Sequence, residues 1–476
     1  MKLSLLIEDL IISEVEDTEI GHISCDPKNC DANTLLFLIN ENAKKEYQIY
    51  MPTVSAIICE NTYSFNTNKP VFTVTNIREA VSKAFLKMYC SDLSHIKFIG
   101  ITGTNGKSTT AIMIKKVLCD CGFCVGLFGT GKIMIGDRII SNTDYSMTTP
   151  TPDVLYPSIQ KMKDAGVDFI IMEVSSHALM QERVSPLKFD IGIFTNLSAE
   201  HLDYHHNMNS YYLAKTRLME KSKKIVVNSD DKYGRLILTR FNNSEGCGTS
   251  KLGDTTINSI RDFGFNGCSF MYSSLYSTSR INLAIPGIYN VHNAMLAIRA
   301  LEILGIPLSK TRTSLESIKT LDGRFEIVHK HPTVIIDYAH TILAFENIAK
   351  SLYANKNTEQ KLFFVFGCGG DRDNKKRVEM GKIANLYADE IILTSDNPRS
   401  ESPKSIIEEI ANGISKITYK YVDRKEAIRF AIKLANENDI IAIIGKGPEK
   451  YTIVNGEYYD FDEKTIIKEA LSERNI

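Results

Sequence analysis

Neither sign of charge is in excess in this sequence: its 476 residues carry 56 Lys and Arg against 57 Asp and Glu, a net charge of −1. That balance removes the bulk electrostatic basis for binding nucleic acid or an anionic membrane. Proline is scarce, at 13 residues, and there is neither a low-complexity tract nor a disorder-like composition. No apolar run approaches the ~20 residues a membrane helix needs; the longest are strand-length pieces such as Ile440–Ile444. The first ten residues, MKLSLLIEDL, place Glu8 and Asp9 where a secretion signal is apolar, which predicts a protein that is not exported. Ten cysteines are scattered along the chain and, without an export signal, read as reduced thiols. Cys119, Cys121 and Cys124 cluster, but no second Cys pair or spaced His pair follows to complete a zinc site. They are expected as half-buried thiols at a helix-to-strand turn, with a redox dithiol as the alternative.

What is present, 43% hydrophobic and 24% charged residues, suits a soluble chain of two or three packed domains. Short apolar runs at 34–39, 54–59 and 70–74 predict a small N-terminal α/β domain over 1–92. Strand-like runs at 95–101, 125–130, 167–174, 189–195 and 224–228 alternate with helical stretches, including 210–221. They predict a mainly parallel sheet of P-loop type in a central domain, 93–322. Residues 258–285 read as an antiparallel appendage. From 323 to 476, strands at 333–338, 361–367, 390–394 and 439–445 alternate with helices in the manner of a Rossmann-like domain. The fold class is therefore α/β in three domains.

Three segments carry chemistry. Gly103-x-x-Gly106-Lys107-Ser108 lies between a strand and a helix: glycines let backbone N–H groups wrap phosphate oxygens, Lys107 reaches the outer phosphates, and the Ser108 hydroxyl suits Mg²⁺. The spacing is not the full Walker A pattern, whose first glycine would fall at Ile101, and a tight turn holding a lysine is the bland alternative. Glu173 through His177 and Thr195 through Asp203 follow buried-looking strands, at the carboxyl edge where ligands bind. Glu173 and His201 are reasonable Mg²⁺ ligands there; each alone also reads as an ordinary hydrogen-bonding residue.

Taken together, Gly103–Thr109, Glu173–His177, Phe194–His205 with Ala214-Lys215, Pro286-Gly287-x-x-Asn290-x-x-Asn293, Asp322-Gly323-Arg324, Asp337 through Thr341 and Gly369 through Asp373 resemble the Mur ligases. The resemblance spans about 95–465 and is nearest the branch that adds the third residue of the peptidoglycan stem peptide. It implies an ATP-dependent, ADP-forming amide ligase, cytoplasmic and monomeric, with UDP-N-acetylmuramoyl-L-alanyl-D-glutamate and meso-diaminopimelate as its small-molecule partners. By the same resemblance, Gly103, Thr104, Asn105, Gly106, Lys107, Ser108 and Thr109 hold the ATP phosphates, Asn293 meets adenine, and Arg324 and Asp337 reach ATP from the C-terminal domain. Ser108 and Glu173 are implied ligands of one Mg²⁺ and His201 of a second. Lys215, which on sequence alone is an ordinary surface helix lysine, matches the lysine the family carries as a carbamate. Catalysis would then rest on Lys107, Lys215, His201 and Arg324. Thr148, Thr149, Ser175, Gln181 and Arg183 match positions that bind the UDP-muramoyl substrate, and the N-terminal domain would bind the UDP-sugar.

Asp396-Asn397-Pro398-Arg399, just after a strand, is the version that accompanies meso-diaminopimelate in the family. Arg399 offers a planar fork for the distal carboxylate, which lysine lacks; the alternative is an arginine that merely caps the following turn. Arg372, Gly445 and Glu449 match the remaining amino-acid positions, Glu449 suiting the distal ammonium. The implied reaction runs through an acyl phosphate on the D-glutamyl carboxylate, which the incoming amine displaces, with closure of the two domains excluding water. The sequence departs from the family at Asp26-Pro27-Lys28 (usually Asp-Ser-Arg), Met147 (Asn), Glu200 (Asp), Ile342-Leu343 (Pro-Asp) and Pro448 (His). These departures leave open a Mur-type ligase for another amino acid or a non-muramoyl carboxylate, and an idle nucleotide-binding paralogue.

Overall fold

The computed structural model describes residues 1–10, 17–60, 67–90, 92–141, 147–250 and 253–474. The chain gathers into two compact units: Met1–Thr102, Leu118–Ile193 and Leu213–Ile225 form the first; Gly103–Val117, Phe194–Tyr212 and Val226–Ile476 form the second.

In the first unit, His22–Ser24, Thr34–Phe37, Ala56–Cys59 and Val71–Thr73 make a parallel sheet in chain order. Leu36, Leu38, Val54 and Ile57 pack there with Ala43 and Tyr47 of the helix Glu41–Tyr50, which Asn40 caps through the Ala43 N–H. A second sheet centres on Lys97–Thr102, whose register sets Ile101 opposite Glu173 in the parallel strand Phe169–Glu173. Val125–Gly129 follows in parallel, and the hairpin Lys132–Ile135 with Arg138–Ser141 closes that edge. These strands are apolar almost throughout, as strands covered on both faces must be. The hairpin and the helices Ile77–Tyr89 and Pro152–Asp164 were not among the sequence expectations.

In the second unit, the strands Thr255–Asp262, Cys268–Ser273 and Thr278–Leu283 form the expected antiparallel segment. Tyr289–Ile303 is a helix that pattern reading does not find, because it is buried all round and so lacks an amphipathic stripe. Beyond it lies a six-stranded sheet ordered Glu326–Lys330, Thr333–Asp337, Ile440–Ile444, Leu362–Phe366, Glu390–Thr394, Thr418–Tyr421. All pairings are parallel except the first edge. One face packs Phe345, Ile348, Met380 and Ile407; the other packs Ile428, Ala431, Ile466 and Ile467. The parallel strands of this sheet run the same way, so their carboxyl ends share one edge, the side on which such sheets bind ligands. Asp337 ends one of those strands, and Gly369–Arg372, Asp396–Arg399 and Gly445–Glu449 follow the ends of others.

Candidate active site

The second unit holds the glycine-rich loop. Gly103 (φ +150°) and Gly106 (φ +85°) take backbone shapes that a side chain resists, and a Cβ on either would collide with Thr195 Oγ1 or Asn293 Oδ1. Thr195 and Asn196 brace the loop: Thr104 N–H donates to Asn196 O (2.9 Å), Asn105 N–H to Asn196 Oδ1 (3.0 Å), and Thr195 Oγ1 to Asn105 O (2.6 Å). Lys107 opens the helix Lys107–Asp120 and its Nζ donates to the carbonyls of Gly103 and Thr104, each at 3.0 Å.

A cleft of about 320 Å³ opens beside this loop. Asn105, Thr109, Asn293, Arg324 and Asp337 line it, and so does a patch of Leu296, Leu343 and Ala344. Arg324 lays its guanidinium 4.6 Å from the Tyr338 ring centroid and donates from Nη2 to Ser108 Oγ at 3.0 Å. Asp337 accepts the N–H groups of Phe325 and Ala339, each at 2.7 Å; burial pushes its carboxyl above the usual range, and Arg324 opposes that rise. Thr341 Oγ1 donates to Asn105 Oδ1 (3.1 Å), while the buried Asn105 Nδ2 has no hydrogen-bond partner among the described residues. An unanswered amide donor in a cleft of this polarity suits an oxygen-rich ligand. Glu200, nearly buried, meets the equally buried Lys376 at 3.3 Å, and Lys376 also donates to His340 O at 2.9 Å. His201 beside it takes a left-handed backbone (φ 56°) and stands edge-on to Tyr211.

The carboxyl-edge loops of the six-stranded sheet bring Arg372, Asp396, Asn397, Pro398, Arg399, Gly445 and Glu449 together. Arg399, at φ 53°, donates from Nη1 to Gly370 O at 2.8 Å, and Gly370 N–H donates to Asn397 O at 2.9 Å. Desolvation, then the like charge of Arg399, draw the Arg372 pKa below its ordinary value. Two guanidinium groups near enough to repel one another can together receive a carboxylate. Glu449 accepts from Tyr338 OH and from Asn397 Nδ2, both at 2.9 Å; burial raises its carboxyl above the usual range, with Asp396 adding to that rise. Gly445 (φ +123°) leaves no room for a Cβ, which would lie 2.6 Å from Asp396 Oδ2.

In the first unit, the five positions assigned to the nucleotide-sugar substrate also converge. Thr149 Oγ1 donates to Glu173 O (2.9 Å) and accepts Ser175 N–H (3.0 Å); Arg183 donates to Thr149 O and Gln181 Oε1, both at 2.6 Å. Thr148 Oγ1 accepts from Thr130 Oγ1 at 3.4 Å, and Thr130 also reaches Glu173 through its N–H (3.2 Å) and hydroxyl (3.3 Å). Lys215 is not the surface lysine its sequence setting suggests: only 2% exposed, it shares with Ala214 and Leu218 the buried face of the helix Met208–Glu220. Asp26 accepts Lys28 N–H on one carboxylate oxygen and Asn29 Nδ2 on the other, both at the surface. Cys119, Cys121 and Cys124 are half-buried thiols. Among the described residues, no group of three or more His, Cys, Asp and Glu side chains is arranged to hold a metal.

Tyr338 and Lys446 tie the carboxyl-edge loops together through Glu449 and Asn397, yet neither has a role in the sequence reading. The available signal was their place beside Asp337 and Gly445, directly after strands.

A glycine-rich strand–loop–helix turn, a cleft beside it and an arginine with a carboxylate from a second parallel sheet define a phosphate-binding enzyme of the P-loop class. The chain belongs to the Mur ligase family. Residues 101–301 match the Mur ligase middle domain and residues 323–447 the Mur ligase, glutamate ligase domain. A UDP-N-acetylmuramoyl-L-alanyl-D-glutamate–2,6-diaminopimelate ligase of Caldanaerobacter subterraneus subsp. tengcongensis is 40% identical over 434 residues, 88% of this chain and 87% of that one. The ligase of the same name from Clostridium tetani is 37% identical over 490 residues, 99% of this chain and all of that one. A solved structure bearing that name superposes with a TM-score of 0.70 at 26% identity, covering all of both chains. Among the described residues no helix is long and apolar enough to cross a membrane.

Proposed function

We propose that the chain is the ATP-dependent ligase that adds meso-diaminopimelate to the D-glutamate of UDP-N-acetylmuramoyl-L-alanyl-D-glutamate, in the cytoplasm, as a step of peptidoglycan precursor synthesis. The observation that carries this reading is that Arg372 and Arg399, near enough for their like charges to repel, share one edge of the sheet with Glu449, which Asn397 holds from the same turn as Arg399. Diaminopimelate presents a carboxylate and an ammonium at its distal end, the complements of those two features, whereas lysine presents the ammonium alone.

Roles follow on the same reading. Lys107 and the loop from Gly103 to Thr109 hold the ATP phosphates, Asn293 meets adenine, and Asp337 takes the ribose side. Arg324 carries positive charge to the phosphoryl group in transfer. Thr148, Thr149, Ser175, Gln181 and Arg183 hold the muramoyl substrate. Ser108, Glu173, His201 and Lys215, the last as a carbamate, supply Mg²⁺ ligands of hard-donor character. The burial of Lys215 supports the carbamate, because an ammonium so far from water is costly, whereas a carbamate offers oxygen donors to a cation. Bound Mg²⁺ supplies charge neutralisation on the phosphate oxygens. The protein's own groups orient the D-glutamyl carboxylate toward the γ-phosphorus and hold the incoming amine by its distal end until it displaces phosphate from the acyl phosphate. Functional boundaries are placed at 1–92, 93–322 and 323–476, for the UDP-sugar, ATP and amino-acid domains.

Phosphate release in the presence of ATP, Mg²⁺, UDP-muramoyl-dipeptide and single amino acids tests this. The expected result is release that depends on the dipeptide and on diaminopimelate. Release with diaminopimelate but with another carboxylate acceptor would move the assignment to a different Mur-type substrate; no turnover with any amino acid would end it.

A further inference from the structure

Lys446 has no part in the roles above, yet its side chain is fully buried behind the amino-acid loops. It stands between Gly445 and Gly447, both at positive φ, so the chain turns sharply on either side and drives the side chain inward. Its Nζ donates to Asn397 Oδ1 (2.9 Å) and to Tyr451 O (2.6 Å), and lies 3.8 Å from Asp396 Oδ1. The Ile453 N–H donates to the same Asn397 Oδ1 at 3.0 Å. Two donors on one oxygen decide which way the Asn397 amide points, because the reversed amide would set its NH₂ against an ammonium and an N–H. The other end of that amide, Nδ2, then donates to Glu449 Oε2 at 2.9 Å, with Tyr338 OH on Oε1.

We propose that Lys446 is a positioning residue of the amino-acid site: by fixing the Asn397 amide, it aims the Glu449 carboxylate at the distal ammonium of the incoming amino acid. This rests on the reading of these loops as the diaminopimelate site. Burial lowers the Lys446 pKa, and the carboxylates of Asp396 and Glu449 work to restore it, so the ammonium is held by the groups it organises. In Lys446→Met the stem remains and the donor is gone. Asn397 Oδ1 then keeps only the Ile453 N–H, and the amide is free to reverse and withdraw its donor from Glu449.

The test compares the wild-type chain with Lys446→Met by steady-state phosphate release. The KM for diaminopimelate should rise about tenfold or more, the loss of one hydrogen bond to a charged group, while the KM for ATP stays within about twofold. In a Glu449→Ala background the same change should add no more than about twofold, since the carboxylate it acts through is absent. An unchanged KM for diaminopimelate, or an equal rise in both backgrounds, overturns the proposal. Should Lys446→Met fail to fold, Asn397→Asp decides the matter, because it sets a second carboxylate against Glu449. A KM for diaminopimelate raised about tenfold supports the assigned amide orientation, and an unchanged one refutes it. Wild-type protein without diaminopimelate-dependent turnover overturns the site reading and this inference with it. Wild-type turnover beside an insensitive Lys446→Met variant overturns this inference alone.

Discussion

Replacing Arg399 by alanine isolates what the Asp396–Arg399 turn contributes to the choice of amino acid. The backbone at this position is left-handed (φ 53°), and arginine and alanine are equally strained there, so the conformational cost cancels between the two proteins. In the protein without substrate, the change removes the hydrogen bond to Gly370 O at 2.8 Å and a longer one to Asn397 O at 3.4 Å, and relieves the repulsion from Arg372. Those effects oppose one another, so the melting temperature should move little. With diaminopimelate bound, the loss is a charge-assisted contact to carboxylate worth about 2–3 kcal/mol, and about 1.4 kcal/mol is tenfold, so kcat/KM should fall roughly 30- to 150-fold. Lysine has no carboxylate there, so its kcat/KM should stay within about threefold of the wild-type value, and selectivity should collapse. Phosphate release with each amino acid at fixed ATP and UDP-muramoyl-dipeptide reads both numbers. Equal losses for the two amino acids, or a KM for ATP rising in step, would refute the assignment of Arg399 to the distal carboxylate.

Gly445→Ala places a Cβ 2.6 Å from Asp396 Oδ2 at a backbone φ of +123°. It should cost about 1–3 kcal/mol of stability in chemical denaturation and raise the KM for diaminopimelate more than that for ATP. Thr341 caps the helix Ile342–Asn355 through the Ala344 N–H and donates to Asn105 Oδ1. Thr341→Val should lose about 1–2 kcal/mol by denaturation, and Thr341→Ser should recover most of it. Glu401 titrates below its ordinary value of 4.5, first because the Arg377 side chain donates to its carboxylate. Its stabilising effect is complete above that ordinary value and disappears as pH falls through the lower folded one, so Glu401→Gln should flatten the acid limb of a melting-temperature profile. An unchanged acid limb would mean that this pair is idle.

The phosphate loop was legible because its signal is local: Gly103, Gly106, Lys107 and Ser108 are close in sequence, with an apolar strand before and a periodic helix after. The cores of the parallel strands were equally legible, since both faces are covered and each strand reads as one apolar run. The helix Tyr289–Ile303 was not, because a helix buried all round loses the periodicity that marks a surface helix. The edge strands Glu326–Lys330 and Thr418–Tyr421 are half-exposed and polar, and so lack a strand's apolar signature. Lys215 shows the limit for single residues. Its burial depends on which helix face meets the core, and a long charged side chain gives no hint of that. Arg372, Arg399 and Glu449 were found through resemblance; their convergence comes from strand order in the sheet, which no local spacing encodes.

The loops that carry Arg372 and Arg399 are sewn to one another. Arg399 bonds Gly370 O, Ser400 Oγ and N–H meet Asp371, and Asp371 N–H meets Glu401. Beneath them the buried Arg377 holds Glu401, Glu409 and Gly369 O. Neither loop therefore has a shape of its own. A transplant of Asp396–Arg399 alone into a lysine-adding relative would arrive without the seams that pose Arg399. Substrate preference in this fold should move between enzymes as a two-loop cassette, with the arginine beneath it included.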